Sequence, residues 1–228
     1  MFITLEGPDG SGKTTQAHLL AGWLREQGYD AVLTREPGGT GIGDQIRAVL
    51  HDPRNTAMDA RAEILLYSAS RAQHVAQRIR PALAAGKIVV SDRYAGSTLA
   101  YQGYGRGLDL ETLRTITDFA TGGLTPDLTL YLDIAPREGL QRRRLGGEEW
   151  NRLDAETLEF HQRVRAGYLE LVRQEPERWV VIDAARSVEE VQAEIRTLVG
   201  ARLRRETRLR PEAQPEGFFR KNLVSTAR

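Results

Sequence analysis

The chain contains no cysteine. That excludes a disulfide framework, a thiolate zinc site, an iron–sulfur cluster and a cysteine nucleophile together. Long apolar runs are missing too: none approaches the roughly 18 residues a membrane helix needs. The start, Met1-Phe2-Ile3-Thr4-Leu5-Glu6, lacks the basic opening and apolar stretch of a signal peptide and reads as a strand. A cytoplasmic protein with no membrane partner is the expectation. Lysine is scarce, with 3 among 32 basic residues, so Lys13 stands out. The four histidines, His18, His51, His74 and His161, show no metal spacing and no paired acid. His18 and His161 are expected on helix surfaces or in packing, and His74 in a structural role one turn after Arg71. There is no internal repeat.

What remains is an ordinary globular composition, with 40% hydrophobic and 28% charged residues over 228 positions. One large domain or two small ones can bury a sufficient core at that length. The net charge of +1 is unevenly spread. Residues 201–228 carry +5 and the remainder −4. The body is therefore no general polyanion binder, and any anion site in it must be local. From about residue 201 apolar periodicity fades and Pro211, Pro215 and Gly217 appear, so a frayed, solvated tail is expected rather than a nucleic-acid-binding arm.

Short β-branched runs at 2–5, 31–34, 87–92, 127–133 and 179–183 alternate with helical patterns. The helices are expected near 13–27, 42–50, 59–80, 109–120, 136–144, 154–174 and 188–199, the last stopped by Gly200. Alternation of this kind predicts a five-stranded parallel sheet covered by helices on both faces. Ligands bind beyond the carboxyl ends of such strands. Residues 145–151 are short, polar and glycine-bearing, which suits a flap.

Gly7-Pro8-Asp9-Gly10-Ser11-Gly12-Lys13-Thr14 matches the phosphate-binding pattern at every fixed position, between a strand and a helix. The glycines let backbone N–H groups turn toward phosphate oxygens. The helix N-terminus faces the same anion. Lys13 can bridge the β- and γ-phosphates, and the Thr14 hydroxyl can hold Mg²⁺. Residues 7–14 with Thr15 form the expected ATP contacts.

The fate of the γ-phosphate is a separate question. There is no Asn-Lys-x-Asp segment of the GTPase kind. The third strand ends in Asp92-Arg93-Tyr94 rather than in paired acids. An arginine after the acid suits a second anion better than an attacking water. Arg35, Arg71 and Arg93 lie after strands or on helices that can line one cleft, and guanidinium groups grip phosphate bidentately.

Four blocks then resemble the thymidylate kinase family. They run from Glu6 to Gln16, Arg35-Glu36-Pro37-Gly38-Gly39-Thr40, Leu65-Leu66-Tyr67 through Arg71-Ala72-Gln73-His74, and Asp92-Arg93-Tyr94 through Leu108. The resemblance covers residues 1–200 and implies a P-loop nucleoside monophosphate kinase domain with a lid near 142–153. It implies the reaction ATP + dTMP → ADP + dTDP and, usually, a homodimer. It puts Tyr67 where a ring stacks on thymine, Arg71 where thymine is read, and Thr98 and Gln102 at its edge. Tyr101 falls where the sugar C2′ is crowded. Arg35, Pro37 and Arg93 fall at the acceptor, and Asp9 at the sugar hydroxyl, with Asp9, Thr14 and Asp92 ordering Mg²⁺. Ser70 replaces the acid common at its position. With Gly10 in the loop, the catalytic arginine is expected from the lid, Arg152 first and Arg142, Arg143 and Arg144 as rivals, and the resemblance also puts Arg142 beside ATP. Lys13, Arg93, Arg152 and Asp9 are the catalytic set so implied. Two other readings stay open. One is a different nucleotide or nucleoside acceptor, with Glu36 as base. The other is a P-loop switch or nucleic-acid module that uses the tail.

Overall fold

A computed structural model describes residues 1–146 and 151–209, without the side chains of 206–209. Residues 147–150 of the expected lid and 210–228 of the expected tail lie outside the described residues. Five strands form one sheet: β1 (Phe2–Glu6), β2 (Ala31–Arg35), β3 (Ile88–Asp92), β4 (Leu128–Asp133) and β5 (Trp179–Asp183), in the order β2-β3-β1-β4-β5. Every pairing is parallel. The central strands are buried along their length, which is why they read as unbroken apolar runs instead of alternating ones.

Helix α1 (Lys13–Glu26) and helix α9 (Val188–Leu209) cover one face and close a core of Ile3, Leu5, Leu20, Leu24, Val90, Leu130 and Ile195. Helices α2 (Gly41–His51), α3 (Ala60–His74), α4 (Arg80–Ala84), α5 (Ala95–Thr98), α6 (Leu110–Thr121), α7 (Pro136–Leu145) and α8 (Leu158–Gln174) complete the described fold. Thr40, Asp59, Asp109 and Thr157 cap four of these helices through their side chains. Among the described residues no helix is long and apolar enough to cross a membrane.

Three expectations need correction. The helix expected at 59–80 is broken by a π stretch at Val75–Ile79. Pro81 follows after Arg80; its ring would crowd the carbonyl of Gln77 in a regular helix, and the wider turn relieves that. Gly200 does not stop the last helix, which continues to Leu209 because Leu203 still packs into the core. A whole helical segment, α5 and the π stretch Leu99–Gly105, was not expected at all. Its glycines suggest turns, yet they serve packing. A Cβ on Gly105 would sit 2.7 Å from the Phe160 ring of α8.

Candidate active site

Sheet register gathers the site. Leu5 of β1 pairs with Asp92 of β3, and Asp92 also pairs with Arg35 of β2. The phosphate loop leaves β1 one residue later, so Arg35, Asp92, Arg93 and the loop meet at one edge. They open onto a cleft of about 410 Å³. Asp9, Gly10, Gly12, Lys13, Thr14 and Thr15 line it from the loop. Arg35, Pro37, Tyr67, Arg71, Arg93, Thr98, Tyr101 and Gln102 line it from the other elements. The residues expected for the acceptor thus share one space with most of those expected for ATP, though Gly7, Pro8 and Ser11 do not line it.

Lys13 is buried and folds back over the loop, donating to the Pro8 carbonyl at 2.6 Å and to Ser11 Oγ at 3.2 Å. Burial pulls its ammonium down to about 8. The like charge of Arg93 adds to this, and Asp9 and Asp92 oppose it. The Thr14 hydroxyl donates to Asp92 Oδ2 at 2.5 Å. The other oxygen of Asp92, Oδ1, is buried with no hydrogen-bond partner among the described residues.

Gly10 explains the loop type. Its φ is +76°, and a Cβ there would lie 1.9 Å from the Gly139 carbonyl oxygen of α7. No side chain fits while α7 stays seated. Gly139 reciprocates, for its Cβ would lie 2.4 Å from the Asp9 carbonyl oxygen. Two bare backbones touch, which brings α7 onto the loop. Arg142 and Arg143 follow three and four positions later on the same helical face and line the cleft.

Arg93 has φ +73°, strained for a side-chain-bearing residue, and its guanidinium is heavily engaged. It donates to Asp9 Oδ1 at 2.6 Å, to the Gly7 carbonyl at 3.0 Å and to Ser97 Oγ at 3.1 Å. The Tyr101 hydroxyl donates to Asp9 Oδ2 at 2.7 Å. Burial works against the charge of Asp9. Arg93 and Lys13, with the Tyr101 hydroxyl, outweigh it and hold the carboxyl well below its ordinary range. Glu6 beneath them is fully buried, and burial raises its carboxyl despite donors from Ser97, Tyr94 and Tyr168.

Arg71 is 2% exposed and pinned on three sides. It donates to Glu36 Oε2 at 2.8 Å, to Thr98 Oγ1 at 2.8 Å and to the Tyr94 carbonyl at 3.1 Å. The second oxygen of Glu36 meets His74 Nδ1 at 3.0 Å, and His74 Nε2 meets Thr34 Oγ1 at 2.6 Å. Glu36 is therefore committed on both oxygens, a poor arrangement for the base that a nucleoside acceptor would need. Burial would raise its carboxyl, but Arg71 and then His74 prevail and keep it low. Ser70 does not orient Arg71. Its hydroxyl accepts from the Gly38 N–H at 3.0 Å and anchors the turn after Pro37, whose peptide bond is cis.

The arginines expected of a lid separate. Arg142 donates to the Ala184 carbonyl and to Glu138 Oε1, each at 2.6 Å. Arg143 pairs with the buried Asp154 at 3.1 Å. Arg152 is not among the residues lining the cleft; it is 8% exposed and donates to Glu63 Oε2 at 2.5 Å and to the Leu50 carbonyl at 3.3 Å. Among the cleft residues with no expected binding role are Arg47 and His51. Arg47 of α2 donates to the Pro37 carbonyl at 3.0 Å. His51, brought down to about 3 by burial and then by Arg47, faces the cleft uncharged. Both stand on a helix with no motif of its own, so only their position reveals them.

Residues 5–195 match the profile of the family described as thymidylate kinase. A thymidylate kinase of Roseiflexus sp. (strain RS-1) is 54% identical over 220 residues, which is 92% of this chain and 97% of the relative. One from Desulfovibrio desulfuricans (strain ATCC 27774 / DSM 6949 / MB) is 50% identical over 214 residues, covering 91% and 99%. The crystal structure of thymidylate kinase from Ehrlichia chaffeensis superposes with a TM-score of 0.72 at 36% identity, covering 88% of this chain and 98% of that one. A match of that breadth, over a cleft that joins the phosphate loop to Arg35, Arg71 and Arg93, establishes that this chain belongs to the thymidylate kinase family.

Proposed function

We propose that the protein works as a cytoplasmic, Mg²⁺-dependent homodimer in which one cleft aligns ATP and dTMP for direct phosphoryl transfer. It is a kinase, and it phosphorylates dTMP to dTDP. The observation that carries the mechanism is the single cleft that joins the phosphate loop to Arg71, Arg93 and Tyr101. Residues 7–15 hold the ATP phosphates, with Arg142 beside them. Arg35 and Arg93 hold the acceptor phosphate near Pro37. Tyr67 stacks on the base, while Arg71, Thr98 and Gln102 read its edge. Tyr101 crowds C2′, and Asp9 receives the 3′-hydroxyl.

The acceptor phosphate has a second pKa of about 6, so its oxygen is already largely ionised and needs no general base. That oxygen bonds to the γ-phosphorus, the bond to the β–γ bridging oxygen breaks, and ADP leaves with the electron pair. Positioning and charge neutralisation then carry the rate. Lys13 supplies one positive charge. Arg142 and Arg143 are the lid arginines whose place on the cleft supports the other. The buried, unpartnered Oδ1 of Asp92 beside the Thr14 hydroxyl fits a hard, oxygen-seeking cation. Among the described residues no three His, Asp or Glu cluster as a metal cage, which suits an ion completed by phosphate oxygens and water. Asp9 stands near but has both oxygens engaged. When bound, Mg²⁺ would neutralise phosphate charge. The dimer finds support in Leu65 and Phe119, 58% and 90% exposed on the mutually packed α3 and α6. Sedimentation at monomer mass across micromolar concentrations would refute it.

The test of the reaction is ADP release with ATP and Mg²⁺ across dTMP, dUMP, UMP, dCMP and thymidine. A clear preference for dTMP is expected, with UMP disfavoured by Tyr101. Equal ADP release with every acceptor would overturn the base and sugar assignments.

A further inference from the structure

Glu63 is a fully buried carboxylate that phosphoryl transfer does not use. It stands on α3 one turn before Tyr67 and two before Arg71, on the same face. Its Oε1 accepts from Gln102 Nε2 at 2.7 Å and from Arg106 Nε at 3.2 Å. Its Oε2 accepts from Arg106 at 3.1 Å and from Arg152 at 2.5 Å. Burial would raise this carboxyl. Arg106 and Gln102, then Arg152, overcome that and keep it ionised.

An ionised carboxylate has only acceptors. The Gln102 amide must therefore turn its NH₂ toward Glu63. Its oxygen is left on the other side, and Gln102 lines the cleft. A neutral partner at 63 would permit either orientation of the amide. Thymine and uracil carry a donor at N3, whereas cytosine carries an acceptor there.

We propose that Glu63 is a specificity-positioning residue: by fixing Gln102 oxygen-first, it makes the base pocket select pyrimidines with an N3–H over cytosine. The inference deepens the dTMP reading and rests on it. Arg152, on the same carboxylate, acts in this arrangement as a rivet between the lid and α3 rather than as a group on the phosphates.

The test is Glu63→Gln, assayed with dTMP and dCMP. The kcat/KM ratio of dTMP to dCMP is expected to fall by about tenfold or more, because a reversed amide no longer leaves cytosine N3 facing an acceptor. The loss should come mainly through a higher KM for dTMP. That variant leaves Arg152 buried without a counter-charge, so Glu63→Gln with Arg152→Met is the second variant, and there the ratio alone is read. A folded variant that melts earlier but keeps the parental ratio would overturn the proposal and leave Glu63 purely structural. A parent enzyme with no dTMP preference would instead sink the reading beneath it.

Discussion

Lys13, proposed to meet the ATP phosphates, ties that role to pH. Its ammonium is buried and titrates near 8 instead of 10.5. Below pH 8 it is charged in the folded and the unfolded chain alike, and the folded state bears the full desolvation cost. Between 8 and 10.5 the unfolded chain binds more protons, so this contribution to stability rises with pH. Above 10.5 the difference is spent. Lys13→Met should therefore melt higher than the parent at pH 7, with the gap closing toward pH 10. The same variant should lose at least about 10²-fold in kcat. A triphosphate beside Lys13 restores its charge, so ATP binding at pH 8 should take up protons. Calorimetry in two buffers of different ionisation enthalpy measures this, and equal apparent heats would contradict it.

Glu36 and Arg71 make the same point about reading residues from sequence. Both were visible as charged positions in recognisable blocks. Their pairing across 35 positions was not, because a charged side chain reads as solvated until its partner is known. Buried at 2% exposure, Arg71 requires the partners it has.

Among elements, the contact of α7 with the phosphate loop decides where Arg142 and Arg143 stand. Gly10 and Gly139 meet backbone to backbone. Gly139→Ala must push α7 away from Asp9, and with it Arg142 and Arg143. The expected cost is about 1–3 kcal/mol of stability from overpacking. Misplaced lid arginines should lower kcat by about 10²-fold, since an ångström of displacement can cost that much. Stopped-flow turnover with saturating dTMP and ATP measures it, and an unchanged kcat would show that the lid is positioned from elsewhere.

The strands were legible because apolar β-branched runs between turn residues have few other uses. All five fell within a residue or so of expectation. The segment from Ala95 to Gly105 was illegible for the opposite reason. Its glycines disfavour helix locally, and Trp179 against Gly96, Leu110 against Gly103 and Phe160 against Gly105 leave no room for a Cβ.

For the whole molecule, α9 and the charged end separate two roles. Leu203 is 7% exposed and belongs to the central core, although it lies in the segment with the +5 charge. Removing residues 210–228 should leave kcat and the melting temperature unchanged. Removing everything from 201 deletes Leu203 and should lower the melting temperature by about 5–10 °C. A tail-driven nucleic-acid binder would instead show its loss in salt-dependent affinity after the shorter deletion.

The sequence alone determined the five strands and their alternation with most of the helices, the phosphate loop and the family, because those reside in local pattern and in motifs with fixed spacing. Tertiary structure decided which charged groups face the cleft and which face each other. Arg152 and Arg142 look alike on the page, yet one reaches a buried carboxylate 89 positions away and the other lines the cleft. Burial converts a long-range pairing into a requirement, since an unpaired buried charge is costly. No spacing along the chain records which partner meets it.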